Sequence, residues 1–292
     1  MADSPTAERA LDEAGVRELL RAAAPHLAAQ SLRLVAEGWD NAIWRLGDDL
    51  AVRLPRRALA VPLIAHEQRA LPEVGPRLAA LGIRTPMPVL CGTPTAGFPW
   101  PWSVVPWIEG AAALGRPRDE NTALASPLAE ALDALHRDAP ADAPVNPVRG
   151  VPLEERDDVM RERLDRFRGR TALRDAWSAG LRAPAATERV WIHGDLHPGN
   201  ILVEGAELAA FIDFGDVTAG DPAYDIAVAW LLFDAGGRGA FRAACGSRYD
   251  EATWVRARAW AAYLALVLLA QSDDRPEYLA VGESTAGELA LG

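Results

Sequence analysis

Between residues 31 and 55 three short apolar segments, SLRLVAEG, NAIWRLG and LAVRLP, follow one another with only EGWDN and GDD between them. Segments this short, rich in Val, Ile, Leu and Trp and broken by Gly, Asp and Asn, fit hairpins and leave no room for helices. They predict an antiparallel meander. Ahead of it, residues 6–24 place Leu11, Val16, Leu19 and Leu20 at helical spacing, and Pro25 closes the run. Behind it, residues 62–81 turn helical, and Pro72 and Pro76 predict that this region is broken into shorter pieces. WSVVPWIEG reads as one more strand, ending at Gly110. Beyond that point the pattern is mostly helical: residues 122–137, a charged pair over 154–181, and terminal helices after Asp221. A β-rich front and an α-rich back define an α+β chain, divided here into residues 1–108 and 109–292.

A chain of 292 residues, half apolar and a quarter charged, can bury a core in each of two lobes. The apolar run over 259–270 is shorter than a bilayer requires, and the N-terminus carries charges where a signal peptide has an apolar stretch. The expectation is a cytoplasmic protein with no membrane partner. Cys91 and Cys245 are solitary, which suggests packing residues and neither a disulfide nor a cysteine zinc site. No lysine occurs: all 30 basic residues are arginine, as codon bias in an Ala- and Pro-rich chain produces. A net charge of −11 argues against a nucleic-acid surface. Residues 137–150, RDAPADAPVNPVRG, read as an irregular crossing loop.

The segment VWIHGDLHPGNILVEGAELAAFIDFGD, residues 190–216, carries the chemistry. His193, Asp195 and Asn200 fit the loop pattern H-x-D-x-x-x-x-N, and Asp213 opens a D-F-G turn. Moving a phosphoryl group to a hydroxyl needs a carboxylate that orients the acceptor and oxygen ligands for Mg²⁺. Asp195 suits the first role; Asn200 and Asp213 suit the second. A rival uses the same letters, since His193, Asp195 and His197 could begin a zinc or two-metal hydrolase site. A nucleotide-binding pseudokinase that works through partners is a third reading.

These blocks, with WIEG at the end of the fourth strand segment, LDALH at residues 132–136 and GDPAYDIA at residues 220–227, resemble the aminoglycoside phosphotransferase family of small-molecule antibiotic kinases. The resemblance extends over most of the chain. It implies a bilobal protein-kinase-like fold, with an antiparallel sheet in the N-lobe and a mostly helical C-lobe. ATP or GTP and Mg²⁺ are the implied cofactors. Arg53 takes the place of the usual phosphate-binding lysine, with Glu67 as its carboxylate partner. The backbone from Gly38 to Asn41 is implied to cover the phosphates, although EGWDN has one glycine where protein kinases have three. Val105, Trp107 or Ile108 would donate to the purine, Pro106 having no N–H. His193 and Asp225 are implied to brace the catalytic loop, and Asp221 to cap a helix that begins at Pro222. Arg56 and Arg57 read as a solvated pair outside the site.

Between Arg189 and Arg238 the chain has eight acidic residues and no arginine, which would draw in a cationic acceptor. The expected acceptor is a small-molecule hydroxyl, most readily on an aminoglycoside, with a macrolide or an amino alcohol as alternatives. The charged helices over 154–181 and the helices holding Trp254 and Trp260 are expected to wall it. A monomer or weak dimer is expected.

Overall fold

The computed structural model describes residues 6–272 and 274–291. The first five residues, on which the reading of a charged N-terminus partly rests, lie outside it, as do Asp273 and Gly292.

The N-terminal part runs α1 (Glu13–Ala23), β1 (Leu32–Glu37), β2 (Asn41–Leu46), β3 (Leu50–Pro55), α2 (Val61–Ala79), β4 (Leu90–Gly92) and β5 (Trp102–Pro106). Its five strands form one sheet in the order β1-β2-β3-β5-β4, every pair antiparallel. The β2–β3 turn depends on Gly47 at φ +59, a left-handed conformation that suits glycine and closes a tight hairpin. Trp44, Leu46, Val52, Leu54, Trp102 and Val104 line the face that buries Val16, Leu19 and Leu20 of α1. Side chains alternate along a strand, so Arg53, between Val52 and Leu54, points to the other face, towards α2.

Helix α2 runs unbroken from Val61 to Ala79 through both Pro72 and Pro76, against the sequence expectation. Each internal proline costs about 3 kcal/mol in a helix. The helix keeps its course because Ala70, Leu71, Val74 and Leu78 are fully buried in the core of the C-terminal part. At about 1.5–3 kcal/mol for each large side chain, that burial offsets the two lost hydrogen bonds. Tertiary packing here overrides local propensity.

The remainder runs β6 (Ala111–Ala112), α3 (Ala125–Leu135), α4 (Asp157–Arg166), α5 (Thr171–Arg182), β7 (Val190–Ile192), β8 (Ile201–Glu204), β9 (Glu207–Phe211), β10 (Thr218–Gly220), α6 (Ala223–Ile226), α7 (Val228–Leu232), α8 (Ala235–Cys245), α9 (Glu251–Gln271) and α10 (Pro276–Leu291). A second and larger core packs α5, α6 and α10 around α9, whose start Asp250 caps through the Thr253 N–H at 2.8 Å. By length and composition α9 could cross a bilayer, yet 67% of its most apolar window is buried inside the fold. It is the central helix of the core. Cys245 is buried as expected, whereas Cys91 lies exposed on β4.

Candidate active site

The catalytic loop leaves β7 at Ile192 and returns as β8 at Ile201. Asp225 of α6, fully buried, holds its start: Oδ2 accepts from the His193 N–H at 2.6 Å and Oδ1 from the Gly194 N–H at 3.0 Å. Gly194 sits at φ +79, and a Cβ there would meet the Asp216 carbonyl oxygen at 2.2 Å. Only glycine fits. His136 at the end of α3 extends the brace, with Nε2 3.2 Å from Asp225 and Nδ1 2.7 Å from the Tyr249 hydroxyl. His193 spends both ring nitrogens on the loop, Nε2 on Ile212 O at 3.0 Å and Nδ1 on the Asp195 N–H at 3.2 Å. It has no nitrogen left for a metal, and no metal-binding cluster of His, Cys, Asp and Glu forms among the described residues. The zinc-site reading of His193, Asp195 and His197 therefore lacks its ligands.

Asn200 donates from Nδ2 to the Asp195 carbonyl at 2.9 Å and stands 3.3 Å from Asp195 Oδ2. That leaves its Oδ1 as a hard oxygen donor facing the cleft. Asp213 faces the same space from the D-F-G turn at φ 62, the only non-glycine with positive φ among the described residues. Asp tolerates this conformation, and such strain is characteristic of functional sites. Asn200 and Asp213 thus make an oxygen pair suited to Mg²⁺.

Arg53, buried on β3, forks between two carboxylates: Nη1 pairs with Glu67 of α2 and Nη2 with Asp213 at 3.3 Å. A lysine ammonium has no such planar fork. Burial pushes the Glu67 carboxyl upward, against the pull of Arg53. Above Arg53 the β1–β2 turn closes with the Gly38 N–H on Asn41 O at 2.9 Å. Two residues read as a solvated pair hold that turn. Arg56 donates to Gly38 O at 2.6 Å, and Arg57 pairs with Asp40 at 2.6 Å. Their side chains are 12% and 15% exposed. Charge composition signalled solvation; the register of β3 against β2 put their donors beneath the turn.

In the linker after β5 the Trp107 N–H is committed to Asp49 O at 2.7 Å, which removes Trp107 from the candidate purine donors. Val105 lies in the sheet opposite Ala51, and Pro106 has no N–H. The Ile108 N–H alone of this group has no protein acceptor among the described residues. Trp107 keeps a place in the cleft through its side chain, with the Arg45 guanidinium 4.2 Å from the ring centroid.

All these groups border one cleft of about 570 Å³, lined by Gly38, Asn41, Arg53, Val105, Trp107, Ile108, Asp195, Asn200 and Asp213. Glu67, His193 and Asp225 stand behind the lining. The acceptor end meets expectation in part. The terminal helices supply its wall, at the α9–α10 junction with Val267, Leu268, Arg275 and Tyr278, whereas Trp254 and Trp260 are buried in the core and no residue of 154–181 borders the cleft. Low amphipathicity around α9 gave no sign of which residues would emerge at its end.

Arg149 was not singled out by its sequence, a basic residue in a proline-rich loop. In the fold Asn146 ties that loop to Thr218 and Asp216, at 3.0 and 2.7 Å, and Arg149 follows into the cleft. Its guanidinium lies 3.2 Å from Asp195 Oδ1 and 3.4 Å from Asp216 Oδ2, and donates to the Tyr224 hydroxyl at 2.6 Å. Burial raises the Asp195 carboxyl, but Arg149 and His197 outweigh it and hold it well below the usual carboxylate range. Asp221 also departs from a simple cap. Besides accepting the Ala223 N–H at 3.0 Å, it takes a two-pronged contact from the buried Arg256, at 2.6 and 3.2 Å.

An antiparallel sheet over a helical body, with an acidic loop, a D-F-G turn and a buried arginine–glutamate pair at their junction, defines a phosphoryl-transfer enzyme. The family model for the phosphotransferase enzyme family APH matches residues 31–260, and the chain belongs to that family. It is a small-molecule phosphotransferase. Among solved structures it is similar to the GDP and kanamycin complex of APH(2'')-IIIa, with a TM-score of 0.69 and 19% identity over 94% of this chain and 98% of that one. It is also similar to the apoenzyme of macrolide 2'-phosphotransferase MphH from Brachybacterium faecium, with a TM-score of 0.62 and 23% identity over 93% and 97%. A third is the streptomycin–ATP–APH(2'')-IIa ternary complex, with a TM-score of 0.58 and 16% identity over 95% and 99%. No curated protein sequence matches significantly.

Proposed function

We propose that the enzyme moves the γ-phosphoryl group of ATP or GTP to a hydroxyl of an antibiotic of the aminoglycoside or macrolide kind. The observation that carries the reading is the convergence of Asp195, Asn200, Asp213 and Arg53 on the cleft that also holds the free Ile108 N–H. In this reading the purine lies along the linker and accepts from Ile108. The phosphates extend under the turn from Gly38 to Asn41 and meet Arg53, which Glu67 aims. Mg²⁺ held by the oxygens of Asn200 and Asp213 would neutralise phosphate charge as it shifts towards the leaving group. Asp195, kept ionised, is a weak proton acceptor. Its task is to orient the acceptor hydroxyl and to take up the proton late, as suits a loose transition state.

The test is a nucleotide-consumption screen with ATP and GTP against aminoglycosides, macrolides and small amino alcohols. Asp195→Asn should lower turnover by roughly 10²- to 10⁴-fold with nucleotide affinity unchanged. Turnover within threefold of wild type would remove Asp195 from the reaction, and silence across the whole panel would count against the antibiotic assignment.

A further inference from the structure

We propose that Arg149 is a specificity-determining residue: it occupies the cation position beside Asp195 and Asp216, and so selects a largely apolar hydroxyl acceptor with at most one ammonium group over a polycation. This rests on the phosphotransfer reading above and narrows its acceptor. Counted along the chain, the catalytic region is uniformly acidic; in space, Asp195 and Asp216 share the guanidinium of Arg149. That fixed cation stands where an acceptor ammonium would otherwise pair with Asp195.

Geometry makes the pairing hard to displace. Arg149 is held by Tyr224, Asp195 and Asp216 together, and its backbone N–H is fixed on Asn146 Oδ1 at 3.2 Å. An acceptor ammonium that reached for Asp195 would have to break this set. The guanidinium nevertheless borders the cleft, with 23% of its side chain exposed, so its charge is felt there. Farther out, Val267, Leu268 and Tyr278 give the wall apolar area for a bulky acceptor. Like charges brought together in such a site disfavour binding enough to set specificity.

The experiment measures equilibrium binding by calorimetry, at low salt and at about 0.15 M salt, of kanamycin as the polycation and of a macrolide with one amino group, such as erythromycin. The full-length wild type, Arg149→Met and Arg149→Lys are compared. The wild type should bind the macrolide at least about tenfold more tightly than kanamycin. Arg149→Met should tighten kanamycin binding by about tenfold, less at the higher salt, and leave the macrolide within about threefold; Arg149→Lys, which keeps the charge without the fork, should lie closer to wild type than Arg149→Met does. Three outcomes would each overturn the proposal: kanamycin binding the wild type as tightly as the macrolide, a kanamycin affinity unmoved by Arg149→Met, or a lysine variant indistinguishable from the methionine one. Nucleotide binding reports whether each variant is folded, and the wild-type comparison decides even if Arg149→Met is not. Nucleotide consumption with the same compounds is scored separately, so that loss of the reaction reading and loss of the charge-selection reading are told apart.

Discussion

Replacing Arg53 by Met removes both a fold contact and a nucleotide contact, and the structure allows the two to be separated. The Arg53 side chain is 8% exposed and that of Glu67 is fully buried. Removing the arginine alone strands a buried carboxylate, at a cost of about 3–5 kcal/mol in stability. Replacing the pair together, Arg53→Met with Glu67→Leu, leaves no buried charge and should restore stability to within about 1 kcal/mol of wild type. The pH dependence has a definite sign. Burial already holds the Glu67 carboxyl above its ordinary value. Without Arg53 that shift grows, so the folded chain binds this proton more tightly than the unfolded one. The penalty is then absent below the unfolded value of about 4.3 and develops as pH rises through the folded value. Arg53→Met should therefore lie closest to wild type near pH 4 and fall behind towards neutrality, as read by urea unfolding across that range. Nucleotide binding should not follow stability. Loss of one or two charge-assisted contacts to phosphate, about 1.5–3 kcal/mol each, weakens ATP and GTP by tenfold to roughly a hundredfold or more in the single and the double variant alike. A double variant that recovers both stability and nucleotide affinity would reduce Arg53 to a structural residue and refute the reasoning.

Ile108→Pro removes the free N–H among the candidate purine donors and should weaken ATP and GTP by about fivefold to tenfold, about one hydrogen bond, in a nucleotide titration; unchanged affinity would move the purine elsewhere. Asp225→Asn leaves the His193 and Gly194 N–H groups with a single acceptor oxygen, and should lower kcat at least about tenfold while nucleotide affinity holds within threefold. Steady-state kinetics beside nucleotide titration separates the two, and an unaltered kcat would show that the loop does not need this brace. Arg57→Ala frees Asp40 of the phosphate turn and should raise the nucleotide KM several-fold, about 1 kcal/mol, without a matching fall in melting temperature; no change in KM would return Arg57 to the surface.

Asp195, Asn200 and Asp213 could be picked out because their chemistry calls for oxygen side chains and the loop and turn fix their spacing; Arg53 and Glu67 came from the family resemblance, and the fold pairs Arg53 with both Glu67 and Asp213. The meander was legible for a similar reason: runs of six residues between Gly- and Asp-rich turns have few other ways to bury their apolar face. The errors share a cause. Pro72 and Pro76 gave a correct local signal that burial of α2 outweighed. Trp254 and Trp260 were aromatic and therefore candidates for a binding wall, but both are buried in the core, and α9 reaches the cleft through Val267 and Leu268 instead. Trp107 and Ile108 could not be ranked as donors until the register of β5 against β3 showed which N–H was spent.

The sequence by itself determined the reaction class, because phosphoryl transfer needs hard oxygen ligands and an orienting carboxylate, and a short loop preserves their order. Only the tertiary structure decided which charges stand together. Arg149 lies 46 positions before Asp195 in the chain and 3.2 Å from it in space. Electrostatic interaction depends on distance through the folded molecule, which chain order does not encode, and so the acidity counted between Arg189 and Arg238 is offset at Asp195 and Asp216 by a guanidinium from a loop that sequence patterns left empty.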